Sequence, residues 1–341
     1  MVLPPESSPP PLPATDAWRA AGEGAVFTDA TGFGLVAFDG ADAATFLQGQ
    51  LSNDVAALAP GQGQRTTYNS PKGRMLATLF LWREPGGEGF RAVAAEDLVP
   101  AFARRIAMFV LRAKVTVRAF DGSHVVLGVG GPHASATVRE AFGVDVAASQ
   151  AANVRASTIV HLPEGRFLVV APVAERAGVE AALAAHAARV DAETWRWLGI
   201  RAGVPLITTA TQDRFVAQTA NQDALQALDF RKGCYTGQEI VARTHYLGRL
   251  KERLYAFETD AVPPAPGTSL YGEPFGEQAA GTVVDAVADP SGGSRFLAVA
   301  QVQAAQRGTL AVGAPDGTQA RVVPLPYDLP EPTPPRRMPR G

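Results

Sequence analysis

The chain has 341 residues, of which 46% are hydrophobic and 19% charged, and its formal net charge is −2. This length predicts two or three domains, and the slight acidity excludes a globally basic nucleic-acid binder while leaving room for a local basic patch. The single cysteine excludes a disulfide framework. No run of eighteen apolar residues and no signal-peptide pattern is present, so we expect a cytoplasmic protein with no membrane partner.

Proline and serine crowd the start of the chain, and proline with arginine crowds its end. Such segments cannot build a packed element, so we predict disordered tails over residues 1–15 and 328–341. Ordered structure is expected to begin near Trp18.

The first predicted elements are a strand over residues 34–38 and a helix that begins after Asp42, an N-cap residue type. Residues 65–68 and 74–82 read as two strands, and the Asn69-Ser70-Pro71-Lys72-Gly73 turn between them predicts a hairpin.

The middle of the chain alternates strands and helices. Helical spacing of apolar residues predicts helices over 96–110, from 132 to 142 and over 177–189, while residues 114–120, 125–129 and 167–171 read as strands. Because no long parallel βαβ array is visible, the pattern indicates an α+β fold.

Towards the end the pattern changes to short strands separated by proline and glycine, over residues 253–257, 281–287, 295–302 and 320–323. This punctuation predicts a small closed β-barrel within residues 246–327.

The lone cysteine lies in the segment Lys232-Gly233-Cys234-Tyr235-Thr236-Gly237-Gln238-Glu239. Two glycines so close to a thiol indicate backbone that must approach a neighbour closely. A helix-initiating turn with an incidental buried cysteine is the alternative, and the pattern alone leaves both open. The five histidines show no ligand spacing, so we predict no stable metal site.

This segment, followed by Val241-Ala242-Arg243, resembles the signature of the folate-binding YgfZ family, relatives of the glycine-cleavage aminomethyltransferase. The resemblance extends over about residues 33–327. Its other matching positions are Gly40-Ala41-Asp42-Ala43, Phe46-Leu47-Gln48-Gly49-Gln50, Asp54-Val55, Lys72-Gly73, Ala202-Gly203-Val204-Pro205, Gln218, Asn221, Ala224-Leu225, Phe230 and Pro324-Leu325-Pro326-Tyr327.

The family implies an aminomethyltransferase-like fold of interleaved α/β modules around a central channel, followed by the barrel. One module is expected from about 33–115 with 208–245, and the other from 16–32 with 116–207. The channel would hold tetrahydrofolate or a one-carbon derivative. The implied role is to maintain iron–sulfur enzymes, including those that modify tRNA, and we expect a monomer.

The family's two pterin-contacting aromatic positions fall on Phe33 and Trp195. The family usually has tryptophan at the position of Phe33. Phenylalanine keeps the π face but lacks the indole N–H donor. The alternative interpretation is that both residues are aromatic side chains of the core. The remaining expected folate contacts are Lys72, Gln238, Glu239 and Arg243.

Cys234 and Lys232 are the candidate catalytic residues, because neighbouring cations favour a reactive thiol; a solvated lysine is the alternative for Lys232. Basic residues accumulate around them, which predicts a positive patch for polyglutamyl folate or, through residues 243–253, for tRNA. A solvated strand face explains these charges equally well. The basic residues are Arg231, Lys232, Arg243, His245, Arg249, Lys251 and Arg253.

Whether the protein is an enzyme stays open. In the related transferases an acidic pair follows the turn, and Ala77 and Thr78 occupy those places here. Neither supplies the carboxylate that aminomethyl transfer needs, which favours a binding protein. A folate-dependent transferase or demethylase and a non-catalytic interaction scaffold are the alternatives.

Overall fold

The computed structural model describes residues 10–87, 89–120, 122–247 and 250–330. Most of both predicted tails lies outside these residues. The chain forms two compact units, each built from separate stretches. The first takes in the chain up to Ala43, Leu58–Gln64 and Phe80–Leu198; the second takes in Ala44–Ala57, Arg65–Leu79 and the chain from Gly199 onward.

Eight α-helices are described, and none is long and apolar enough to cross a membrane within the described residues. They are α1 (Ala14–Glu23), α2 (Ala43–Gln50), α3 (Val99–Ala107), α4 (Ala134–Phe142), α5 (Arg176–Ala184), α6 (Ala192–Arg201), α7 (Gln238–Leu247) and α8 (Val302–Ala305).

Seventeen strands accompany them in the described residues. They are β1 (Val26–Thr28), β2 (Phe33–Asp39), β3 (Gly63–Asn69), β4 (Met75–Arg83), β5 (Phe90–Ala95), β6 (Thr116–Ala119), β7 (His124–Gly130), β8 (Ala151–Val154), β9 (Ser157–His161), β10 (Phe167–Pro172), β11 (Ala188–Arg189), β12 (Glu252–Thr259), β13 (Ser269–Tyr271), β14 (Gly281–Ala288), β15 (Ser294–Gln301), β16 (Thr309–Val312) and β17 (Thr318–Val323).

The first unit contains a six-stranded sheet in the order β11-β1-β7-β10-β9-β8. Its central strand β10 is apolar at almost every position, because both faces of the sheet are covered. Phe167 and Val169 point into one core cluster, which includes residues of α4 and α5, while Leu168 and Val170 point into the other. The second cluster also contains Trp82 and Trp195, and Phe33 packs against it.

A five-stranded sheet has the order β3-β4-β5-β2-β6, and the predicted hairpin forms its β3 and β4. The turn between them is closed by Ser70, whose backbone N–H donates to the Arg74 carbonyl at 2.8 Å, and by Gly73, whose N–H donates to the Ser70 carbonyl at 2.9 Å. The hairpin prediction is therefore confirmed.

The C-terminal strands form a closed six-stranded barrel, as predicted, with the order β12-β15-β14-β13-β16-β17. Its interior holds Leu270, Leu310 and the stacked pair Phe257 and Phe296, whose ring centroids lie 5.1 Å apart. The short strands β13 and β16 were absent from the sequence prediction, since three or four residues give too little alternation to recognise.

Two local predictions were wrong, and a third was right. The helix expected over 177–189 ends at Ala184, because Ala188 and Arg189 pair in parallel with β1 instead. The helix predicted to begin after Asp42 is confirmed, since α2 begins at Ala43, and the Asp42 carboxylate accepts the backbone N–H of Lys114 at 2.7 Å. Helix α1 begins at Ala14, before the expected start of order near Trp18.

Candidate functional site

The cysteine-bearing segment lies in the second unit, between irregular backbone and α7. Asp229 fixes its start, since Oδ1 accepts the backbone N–H groups of Arg231 at 2.6 Å and Lys232 at 3.1 Å. Gln238, whose N–H donates to the Tyr235 carbonyl at 3.1 Å, then begins α7. The segment is thus a helix-initiating turn, as the alternative interpretation predicted, but the buried cysteine of that interpretation is wrong, since Cys234 is exposed.

The glycine at the end of this turn packs against the β3–β4 hairpin. Gly237 has φ +82°, and a Cβ added to it would lie 2.6 Å from the Ser70 carbonyl oxygen and 2.9 Å from the Cα of Gly73. Gly73 has φ +69°, and its Cβ would lie 2.7 Å from the Cβ of Ile240. The close backbone approach indicated by the sequence therefore exists, and the neighbour is another turn of the chain.

Lys232 is buried and holds the end of α2. Its Nζ donates to the carbonyl oxygens of Gln48 at 2.8 Å, Leu51 at 2.5 Å and Asn53 at 2.9 Å. The last carbonyls of a helix lack partners within the helix, and a lysine ammonium supplies three donors. Burial lowers the pKa of Lys232 from 10.5 to about 8, against the opposing effects of Asp54 and Asp229.

Cys234 is exposed, whereas Lys232, two positions before it, and Tyr235, directly after it, are buried. Tyr235 is buried, with the Lys232 Nζ lying 5.1 Å from its ring centroid, and burial followed by the charge of Asp229 raises the pKa of Tyr235 to about 12. The lysine and tyrosine thus anchor the segment while the thiol faces solvent. With its three donors on carbonyls, Lys232 has a positioning role for this turn.

Fewer basic side chains are exposed in the predicted basic patch than the sequence indicated. Besides Lys232, Arg253 is buried and forms a two-pronged ion pair with Asp223, at 2.6 and 2.9 Å. Arg249 lies outside the described residues. Arg231, Arg243 and Lys251 remain exposed.

The other expected folate contacts of the second unit lie on two elements. Lys72 is exposed in the hairpin turn. Glu239 is exposed in the first turn of α7, and Gln238 is half-buried beside it, its Nε2 3.5 Å from the Lys232 carbonyl. The Gly73–Gly237 contact brings these two elements together.

The places of the transferase acidic pair lie on β4. Ala77 is fully buried, and the Oγ1 of Thr78 accepts the backbone N–H of Ile207 at 3.2 Å. Thr78 thus takes part in a structural contact, and neither position offers a carboxylate.

The first unit contains a pocket of about 390 Å³ that Phe33 lines. Phe120, Glu96 and His124 also line it, together with Asp29. Trp195 is 2% exposed in the adjoining core cluster, with the Arg166 guanidinium 4.4 Å from its ring centroid. The structure therefore places Phe33 at the pocket wall and Trp195 in the core behind it.

Two ion pairs set the charge of one pocket wall. Asp29 pairs with Arg189 at 2.9 Å and with Arg176. Burial raises the pKa of Asp29, but the hydrogen bond and charge of Arg189, with the charge of Arg176, outweigh burial and hold the pKa below its usual value. Burial, followed by the charges of Arg118 and Arg91, lowers the pKa of His124, which favours a neutral imidazole at neutral pH. Glu96 is exposed at the pocket edge.

These pocket residues were missed by sequence reasoning. Asp29, Glu96 and His124 come from three separate stretches, and only the fold brings them together. No cluster of three or more histidine, cysteine, aspartate or glutamate residues suited to a metal occurs in the described part of the chain.

The fold is that of an aminomethyltransferase. The aminomethyltransferase T of the glycine cleavage system from Bartonella henselae superposes with a TM-score of 0.74 over 92% of this chain and 88% of that chain, at 18% identity. The family model for the GCVT N-terminal domain matches residues 14–169.

Curated relatives then define the family. A tRNA-modifying protein YgfZ from Sodalis glossinidius is 34% identical over 307 residues, covering 87% of this chain and 91% of the relative. A protein of the same name from Yersinia pseudotuberculosis is 33% identical over 306 residues, with the same coverage. The chain belongs to the YgfZ family.

Proposed function

We propose that this protein binds tetrahydrofolate or a one-carbon derivative in the cytoplasm and, as a monomer, supports iron–sulfur enzymes that act in tRNA modification. Its YgfZ relatives are named as tRNA-modifying, its fold is that of an aminomethyltransferase, and the resemblance of its motifs to the folate-binding YgfZ family supports folate as the ligand. The observation that carries folate binding is the pocket of about 390 Å³ with Phe33 on its wall.

The chemistry of the pocket fits a pterin. Phe33 and Phe120 offer aromatic surface for a flat heterocycle. The pterin's 2-amino-4-oxo edge presents adjacent N–H donors, and a carboxylate accepts such a pair with two oxygens. Glu96 at the pocket edge supplies that group, whereas Asp29 is already engaged by two arginines. Volumes of about 300 Å³ and more are usual for small-molecule sites.

The remaining folate contacts stay proposals. Lys72, Arg243, Gln238 and Glu239 belong to the second unit and stay proposed folate contacts on the family resemblance alone. In the first unit, Trp195 supports the wall formed by Phe33 through the shared core cluster. The bound folate would supply one-carbon chemistry, while the protein orients its rings.

An accessory role fits better than aminomethyl transfer, because Ala77 and Thr78 offer no carboxylate at the places of the acidic pair.

Within this role, Cys234 is the proposed functional thiol, since it is exposed in the family motif. A deletion strain complemented with wild type or Cys234→Ala tests it. We expect the variant to leave tRNA thiomethylation defective, and full restoration would contradict the role of the thiol.

Folate binding is tested by titrating the protein with tetrahydrofolate. Binding is followed by tryptophan fluorescence and by isothermal titration calorimetry. We expect Phe33→Ala to weaken binding by about tenfold or more, and Phe33→Trp to retain it, because an aromatic face is the required feature. Phe109→Ala is the matched control, since Phe109 is an exposed phenylalanine outside the pocket. Absence of saturable binding to wild type would contradict the proposal and leave the interaction scaffold.

A further inference from the structure

Three aromatic rings meet at the C-terminal end of α7. Phe230 and His245 are stacked, with ring centroids 3.7 Å apart and planes 12° from parallel. Tyr246 meets both edge-on, at 6.4 Å from Phe230 and 4.8 Å from His245. Each contact fixes the orientation of the rings, so the cluster is a pre-arranged aromatic surface.

This aromatic cluster is open to solvent. Tyr246 is 39% exposed, and Phe230 and His245 are half-buried, whereas Phe257 and Phe296 of the barrel are fully enclosed. A core role would bury the tyrosine further, because aromatic burial is among the largest apolar gains that a side chain offers. The ring of Tyr246 is therefore accessible to a ligand.

Two exposed arginines lie close to the cluster in sequence. Arg231 follows Phe230 directly, Arg243 lies one helical turn before Tyr246, and both side chains are exposed. No ion pair links either arginine to a carboxylate within the described residues. Oδ1 of the neighbouring Asp229 accepts two backbone N–H groups. The guanidinium groups are thus available for an anion.

We propose that Phe230, His245 and Tyr246, with Arg231 and Arg243, form a binding surface for single-stranded RNA. Unpaired bases stack on exposed aromatic rings, and arginines contact the phosphates between them. A duplex would offer no free base face. The inference deepens the proposed role in tRNA modification by specifying unpaired nucleotides, such as those of a tRNA loop, as the contacted part.

The test measures the fluorescence anisotropy of a labelled single-stranded RNA 12-mer, a tRNA and a blunt RNA duplex at about 50 and 200 mM salt. We expect the single strand and the tRNA to bind more tightly than the duplex, and more weakly at the higher salt. Tyr246→Ala is expected to weaken single-strand binding by about fivefold or more, and Tyr246→Phe to retain it. Arg231→Gln with Arg243→Gln is expected to flatten the salt dependence.

The matched control removes two exposed arginines elsewhere, Arg104→Gln with Arg105→Gln on α3, and should leave binding unchanged. Thermal melting confirms that each variant is folded. The inference is overturned if wild type shows no saturable binding of either RNA, if folded Tyr246→Ala binds like wild type, or if the control weakens binding as much. Tetrahydrofolate titration separates the two proposals, because intact folate binding without RNA binding overturns this inference alone, and the reverse overturns only the folate site.

Discussion

Gly73 and Gly237 lie 164 positions apart in sequence and pack backbone against backbone, each with a positive φ. The two turns that carry the family's most recognisable residues are therefore held together at a contact that excludes any side chain. This contact fixes the position of the cysteine-bearing segment relative to the hairpin.

The first prediction tests this contact. Gly237→Ala should lower the free energy of unfolding by about 2 kcal/mol or more, because a positive φ strains alanine and the added Cβ collides with backbone. Gly233→Ala is the control, since nothing lies within 4 Å of its Cβ position. Urea denaturation of both variants measures the difference, and equal stability of the two would contradict the packing.

The second prediction concerns Lys232. Lys232→Met removes three hydrogen bonds and leaves the carbonyls of Gln48, Leu51 and Asn53 without their donor, so we expect a loss of about 3 kcal/mol or more in unfolding free energy. Lys72→Met changes an exposed lysine and should cost less than about 0.5 kcal/mol. A Lys232→Met protein as stable as wild type would rule out the anchoring role.

The third prediction is a pH dependence of stability with two opposing parts. The lowered pKa of Lys232 means that the unfolded state binds more protons between pH 8 and 10.5, so this residue makes stability rise with pH across that window. Tyr235 has a raised pKa, so its contribution is complete below pH 10 and is lost as the pH approaches 12. Urea titrations at several pH values measure both trends.

Variants separate these contributions. Lys232→Met should remove the rise between pH 8 and 10.5, because methionine does not titrate. Tyr235→Phe should reduce the fall above pH 10, and the remainder comes from Tyr255 and Tyr327, whose pKa values burial also raises. If the unfolding free energy of Lys232→Met rises with pH between 8 and 10.5 as steeply as that of the wild type, another group causes the rise. The burial of the Lys232 ammonium then does not explain it.

The fourth prediction concerns the buried pair of Arg253 and Asp223. Arg253→Met should destabilise the protein by about 3 kcal/mol, because it leaves the largely buried carboxylate of Asp223 without its cation. Adding Asp223→Leu should recover part of that loss, since both charges are then absent. Chemical denaturation of the single and double variants decides the point, and additive losses would show that the two residues do not depend on each other.

Local sequence signals were sufficient for elements with strong turn chemistry. The Asn69-Ser70-Pro71-Lys72-Gly73 turn predicted the hairpin, and proline and glycine spacing predicted the barrel. Positions decided by distant partners were not predictable. Arg189 forms a strand only because β1 lies alongside, and Arg253 has the sequence context of a solvated cation although Asp223 binds it in the interior.

The candidate site shows the same division. The glycines of the cysteine-bearing segment signalled a close approach, but Gly73 as the partner could be known only from the fold. Phe33 was assigned from the family resemblance, whereas Glu96 and His124 became neighbours of it through tertiary packing.

Closure of the C-terminal barrel restricts how other molecules can engage this part of the chain. Over residues 252–323, β12 pairs with β15 and β17, and β13 pairs with β14 and β16, so every strand has a neighbour on each side. A peptide that binds by extending a sheet therefore has no strand to join here. Recognition of the barrel must rely on its loops and outward side chains, which are also the parts of the chain that can vary without disturbing the strand pairing.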